Sequence, residues 1–236
     1  MSLHSPRLAA ADRKHAILVA AAPVFARLGR AGATTKDIAR AAGVSEALLY
    51  KHFPGKEALY TALERHCVEA NAAGGRLLDG ASPSTETLVL GVAVLVQAVF
   101  PGIGSRQSHD DTKRLVTSSL LDDGRFATAF LRRHVQPWIE LFALSLRAAR
   151  QGGDVEDGVR ASTAEVWFVH HLANTLHLVA LPGDGVVEYG LTRDELVTST
   201  VRFLLRGLGL KTAAIDRHYD PEHVRALLAE PEGQQS

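Results

Sequence analysis

Apolar residues recur at three- and four-residue spacing along almost all of the 236-residue chain, interrupted by glycine, proline and aspartate clusters. That period places one apolar stripe on each helix. It predicts an all-α protein. The one stretch that reads as extended, Val186–Tyr189, is too short to build a sheet.

Near the N-terminus the stripe runs through Ile17, Ala21, Val24, Phe25 and Leu28, with Pro23 set to kink the helix or move its start, and Gly29 and Gly32 then break it. Thr34 suits the cap of a second helix, with Asp37 three residues on and Ile38 and Ala41 facing inward. Gly43 suits the left-handed position that stops this helix, and Ser45 caps a third that carries Glu46 in its first turn. Pro54-Gly55 ends the third helix, and a fourth follows over 56–71. Further helices are predicted at 85–100, 107–122, 125–151, 160–181, 192–208 and 220–229, with Pro137 kinking the longest.

The charge count points two ways. Lysine plus arginine and aspartate plus glutamate are 26 each, and a neutral chain argues against nucleic acid. Yet the first 56 residues hold nine bases and three acids, a net +6, and the remaining 180 carry −6. Such asymmetry points to a nucleic-acid-binding end, although a short segment can also be basic by chance.

A single cysteine, Cys67, excludes an internal disulfide and a Cys-rich zinc site, and fits a reducing compartment. It reads as a half-buried thiol or as a redox sensor beside His66 and Glu69. The apolar stretches 16–26 and 88–100 fall short of the roughly 18 residues of a membrane-spanning helix. The expectation is a soluble, cytoplasmic protein with no membrane contact.

Two short helices joined by Ala42-Gly43-Val44-Ser45, the second in a basic segment, form a helix-turn-helix pattern. Val44, Leu49 and Phe53 would pack on Ile17, Phe25 and Ile38, leaving Glu46, Ala47, Tyr50 and Lys51 outside. A helix so presented fits the major groove of DNA. A helix–glycine–helix corner is also common in bundles that bind nothing.

Residues 13 to 60 resemble the N-terminal domain of TetR-family transcriptional regulators. Ile17-Leu18, Ala21-Ala22, Phe25-Ala26 and Gly29 resemble its first helix, and Thr34-Thr35, Ile38-Ala39 and Ala42-Gly43-Val44-Ser45 its second helix and turn. The run Leu49-Tyr50-Lys51-His52-Phe53-Pro54-Gly55-Lys56-Glu57-Ala58-Leu59 is similar to its recognition helix and the start of the fourth. The family often has leucine at Pro23 and usually glycine at Ala47, so the approach to the groove differs here. The resemblance implies phosphate contacts from Thr35, Lys36, Ser45, Tyr50, His52 and Lys56, and base contacts from Glu46, Ala47, Leu48 and Lys51. Bland readings stand beside these: Glu46 complementing the helix dipole, His52 packing or capping, and Lys51 merely solvated. Arg7, Arg13 and Lys14 read as a basic arm, with or without DNA contact.

The domain division read from the sequence is an arm over 1–12, a three-helix DNA-binding domain over 13–58, and a larger helical domain over 59–230. By the resemblance, the larger domain binds a small, largely apolar ligand and forms a homodimer through the helices near 160–181 and 192–208. Dimerisation also follows from mechanism, because two reading heads about 34–36 Å apart would read a palindrome.

His170, Asn174 and His177 share one face of a nearly all-apolar helix, with His171 beside them. They read as polar lining of a ligand pocket, as bonds across a dimer interface, as core histidines, or as a metal or catalytic site. No acid lies between Val166 and Pro182 to complete a catalytic zinc set. Gln97, Phe100, His134, Trp138 and Phe142 read as a ligand cavity or as plain core. The sequence holds no glycine-rich phosphate cradle, no Ser/His/Asp spacing and no paired carboxylates in an apolar setting. The expectation is a ligand-responsive repressor with no catalytic residues, no cofactor and no metal. The alternatives are a DNA-binding or architectural protein without a ligand, and an α-helical enzyme built on His170, His171 and His177.

Overall fold

The computed structural model describes residues 10–70, 78, 80–99, 107–159, 162–180 and 186–229. In chain order its helices are α1 (Ala10–Gly32), α2 (Thr35–Ala41), α3 (Glu46–His52), α4 (Lys56–Ala70), α5 (Thr85–Val99) and α6 (Gln107–Leu120). They continue with α7 (Arg125–Phe130), a π-helical turn (Leu131–Val135), α8 (Gln136–Gln151), α9 (Thr163–Ala180), α10 (Arg193–Gly207), α11 (Thr212–His218) and α12 (Pro221–Ala229). The protein is all-α. Among the described residues there is no strand, only an isolated bridge between Val155 and Leu210, and Val186–Tyr189 is not one. No helix among them is long and apolar enough to cross a membrane.

The chain divides into two compact units, Met1–Gly74 with Arg106–His134, and Gly75–Ser105 with Val135–Ser236. The first therefore reaches beyond the three-helix domain outlined from sequence and takes in α6 and α7. Its core is Ile17, Ala21, Val24, Phe25, Ile38, Leu49, Phe53, Leu59, Leu63, Leu115 and Phe126. Leu28, placed on the stripe by its spacing, is 40% exposed. The reason is local: the backbone leaves helical geometry one residue later, at Gly29 with φ 68°. Pro23 is tolerated inside α1.

Arg30 ties this unit together. Its guanidinium donates to Glu57 at 2.6 Å and Asp123 at 2.8 Å, and lies 5.5 Å from the centre of the Tyr60 ring. Asp123 also accepts from the backbone N–H and the side chain of Arg125. These bonds, the Arg125 backbone bond first, hold its carboxyl down to about 2.

In the second unit α5 packs against α8, α9, α10, α11 and α12. Leu88, Val89, Val92, Ala93 and Val96 are all fully buried, as expected of a helix apolar on every side. Asp154, in the connection after α8, accepts from the Thr85 hydroxyl at 2.7 Å and from Arg217 at 2.6 Å. Lys211 donates its backbone N–H to Asp154 and its ammonium to the Gly153 carbonyl.

The structure departs from the sequence reading in two places. The helix predicted over 125–151 is two helices with a π turn between them, because Pro137 at the start of α8 has no N–H to continue the ladder. Helix α11, seven residues between Leu210 and Tyr219, carries too little periodicity to be read in advance. Helix α9, nearly all apolar, exposes Phe168 at 65% and Leu172 at 37% in the single chain.

Candidate nucleic-acid interface

The first unit presents a helix-turn-helix. Thr34 caps α2 by accepting from the Asp37 N–H at 3.1 Å, and its hydroxyl donates back to the Asp37 carboxylate. These bonds, with Arg40 nearby, hold Asp37 below the usual carboxylate range. Helix α2 ends in a Schellman turn: Val44 N–H bonds the Ala39 carbonyl and Gly43 N–H the Arg40 carbonyl, with Gly43 at φ 64°. That left-handed residue is what turns the chain tightly enough for Ser45 to cap α3, accepting from the Leu48 N–H at 3.2 Å.

On α3, Leu49 is wholly buried while Glu46, Ala47, Tyr50 and Lys51 face solvent, and Leu48 and His52 are half-buried. One buried anchor thus fixes the rotation of the helix. Around the exposed face stand hydroxyl, ammonium and imidazole donors. Lys36 is exposed, Thr35 and Lys56 are half-buried, and Ser45 keeps its hydroxyl proton while its oxygen caps α3. The Thr35 hydroxyl donates to Glu46 Oε2 at 3.1 Å and lies 3.3 Å from the Tyr50 hydroxyl. Lys56 Nζ donates to the Ala31 carbonyl at 3.2 Å.

Arg7 lies outside the described residues, whereas Arg13 and Lys14 belong to α1 rather than to an arm. Lys14 places its ammonium 5.4 Å from the centre of the Phe53 ring, beside the end of α3. Sequence reasoning missed Arg30, whose partners are 27 and 93 residues away; no local pattern marks such a clasp.

Of the residues proposed for a ligand pocket, Phe100 lies outside the described residues. Gln97 is buried, its carbonyl oxygen without a hydrogen-bond partner among the described residues, and Trp138 meets Phe142 edge-on at 5.9 Å, all in the second unit. His134 belongs to the first unit, next to Phe130 at 4.7 Å, with burial lowering its affinity for a proton.

On α9, Asn174 spends its amide on the His170 carbonyl at 2.9 Å, and His177 is buried. His170 meets Trp167 edge-on at 5.6 Å, and its Nδ1 is 3.4 Å from that of His171. Burial first, and His171 second, push His170 down to about 4. Among the described residues no group of three or more His, Cys, Asp or Glu is placed to hold a metal. Burial pushes Cys67 up to about 11, so it is a thiol at neutral pH and a poor nucleophile.

Comparison with known proteins agrees with this geometry. Residues 17–63 match the family model described as bacterial regulatory proteins, tetR family. A search of curated proteins gives no match. Solved structures with a similar fold include a bacterial regulatory protein in the tetR family from Rhodococcus RHA1, at 18% identity and TM-score 0.57, over 84% of this chain and 98% of that one. The ketosteroid transcriptional regulator KstR2 of Mycobacterium tuberculosis is similar at 18% identity and TM-score 0.56, over 84% and 95%. The transcriptional regulator FadR from Bacillus subtilis, in complex with stearoyl-CoA, is similar at 16% identity and TM-score 0.55, over 82% and 98%. The match to the tetR family of bacterial regulatory proteins thus falls on the N-terminal helix-turn-helix domain, residues 17–63.

Proposed function

We propose that the protein is a ligand-responsive transcriptional repressor that binds a palindromic operator as a homodimer and is released by a small, largely apolar molecule. The observation that carries this reading is the outer face of α3, where Glu46, Ala47, Tyr50 and Lys51 stand clear of the core around the buried Leu49. Glu46 can accept from cytosine N4 and Lys51 can donate to guanine O6 and N7, with Ala47 and Leu48 offering apolar contact to a thymine methyl. Thr35, Lys36, Ser45, Tyr50, His52 and Lys56 supply phosphate donors around them.

One seven-residue helix makes few base contacts, so useful specificity needs two. Support for the dimer comes from α9 and α10, whose Phe168, Leu172 and Phe203 are exposed in the single chain. Support for a ligand in the second unit comes from its fold, shared with a regulator captured with stearoyl-CoA, and from the unsatisfied buried oxygens of Gln97 and Ser145. His170, Asn174 and His177 then polarise the wall of that site or the dimer seam. A ligand releases DNA only through its differential affinity for the two states, about 1.4 kcal/mol for each tenfold.

The test is selection of bound duplexes from a random pool, followed by gel-shift titration of the purified chain. Enrichment of a two-fold symmetric site supports the reading. Recovery of no preferred sequence, with a steep salt dependence alone, would replace it with architectural binding.

A further inference from the structure

Between α9 and α10, the segment Val186–Leu191 turns its apolar side chains to solvent: Val186, Val187, Tyr189 and Leu191 are 65%, 46%, 43% and 47% exposed. Single exposed apolar residues are ordinary, but a contiguous run marks a surface that something covers. The segment is anchored at one end, where Thr192 caps α10 in a reciprocal box with Glu195. Among the described residues, no backbone hydrogen bond joins 186–191 to another element.

Along one face of α10 lie Ser199, Phe203, Arg206 and Gly207, all exposed. Phe203, 65% exposed, is the apolar part of that face, and Arg206 is a cation with no acidic partner among the described residues. The segment supplies the complement. Glu188, exposed and likewise without a basic partner among the described residues, stands between Val187 and Tyr189.

Segment and helix face belong to one unit of one chain, yet both are exposed. We infer that Val186–Leu191 is an exchanged arm, which lies on α10 of a second copy with Val187 and Tyr189 against the partner's Phe203 and Glu188 against the partner's Arg206. This rests on the proposed homodimer. The arm connects α9 and α10, so two-fold pairing through the exposed Phe168 and Leu172 of α9 carries each arm toward the other copy and makes the contact with Phe203 twice.

Sedimentation equilibrium of the full chain gives the dimer dissociation constant. We expect E188R and R206E each to raise it by about tenfold or more, and the double swap to recover most of the loss, because like charges facing across an interface repel. A second measurement survives a poorly folded variant: E188C in a tagged chain, mixed with R206C in an untagged one, should yield a covalent heterodimer with a short bis-maleimide reagent. Cys67 is buried and absent from this surface. A dimer that ignores both charge reversals and gives no mixed crosslink overturns the arm and leaves the dimer standing. A wild-type chain that stays monomeric at every concentration overturns the dimer, and the arm with it.

Discussion

The Thr35 hydroxyl, at the start of α2, donates to the Glu46 carboxylate at the start of α3 over 3.1 Å, with the Tyr50 hydroxyl 3.3 Å from the same oxygen. The acid at the head of the reading helix therefore has a partner before DNA arrives. In the proposed DNA complex, a phosphate would compete with Glu46 for the Thr35 proton, and the freed Glu46 would accept from a cytosine N4. We expect Glu46→Ala to cost about 1–3 kcal/mol on the preferred duplex and to flatten preference at one position per half-site. Thr35→Val should weaken all sequences alike. Repeating the duplex selection with each variant checks this, and an unchanged preference in Glu46→Ala removes the base-reading role.

Lys36 and Lys51 are both exposed cations, yet the proposed DNA-binding reading gives them different tasks. In that reading Lys36, near the start of α2, meets a phosphate, and Lys51, exposed on α3, meets a base. Lys36→Ala should lower the slope of log affinity against log salt by about one, uniformly across sequences. Lys51→Ala should instead cost about 1–3 kcal/mol on duplexes with guanine at its position. Gel shifts over a range of salt on preferred and scrambled duplexes separate them. Identical behaviour of the two variants would merge both lysines into phosphate contacts.

Gly43 holds φ at 64° with no atom within 4 Å of where a Cβ would sit, so conformation rather than space requires glycine. Gly43→Ala should destabilise the first unit by about 1–2 kcal/mol, the cost of a left-handed residue with a side chain. Chemical denaturation followed by circular dichroism measures it, and no loss would mean that the turn relaxes to another geometry.

How much of this was legible in advance follows from the range of each interaction. Thr34, Gly43 and Ser45 act within four residues, so caps and turn could be read directly from the letters. The inward set Ile17, Phe25, Ile38 and Leu49 follows from period alone. Arg30 was invisible, because its bonds to Glu57 and Asp123 depend on how helices return in space. The same limit separates His134 from Gln97, Trp138 and Phe142: shared polarity and helical spacing do not reveal which unit a side chain joins. Helix α11 escaped notice because its seven residues are set by their surroundings, with Ala214 and Ile215 buried, more than by periodicity.

Gly91 is required by space. A Cβ there would stand 2.2 Å from Cε1 and 2.4 Å from Cζ of Phe142, whose ring is itself fully buried. Gly91→Ala raises helix propensity by up to about 1 kcal/mol, but displacing a packed ring costs typically about 1–3 kcal/mol. We expect net loss of stability, and a smaller loss when the same change is made in a Phe142→Leu background. Denaturant midpoints of the four proteins in that cycle measure the coupling. Equal effects in both backgrounds would show that Phe142 is not what excludes the methyl.

His170 makes the second unit acid-sensitive. Its proton affinity in the folded chain is pushed down to about 4, first by burial and then by His171, against an ordinary value of 6.5. The unfolded chain thus binds the proton more readily, so the stabilisation present above pH 6.5 is lost as pH falls toward 4. Discounted for partial exposure, the loss is on the order of 2 kcal/mol. His66 and His134 are lowered in the same direction, so acid sensitivity alone does not identify its source. The difference between wild type and His170→Gln does, because glutamine keeps polar contacts and cannot titrate. Denaturation at pH 7.5 and pH 4.5 should show a smaller drop in the variant. Equal drops in the two proteins would place the acid sensitivity elsewhere.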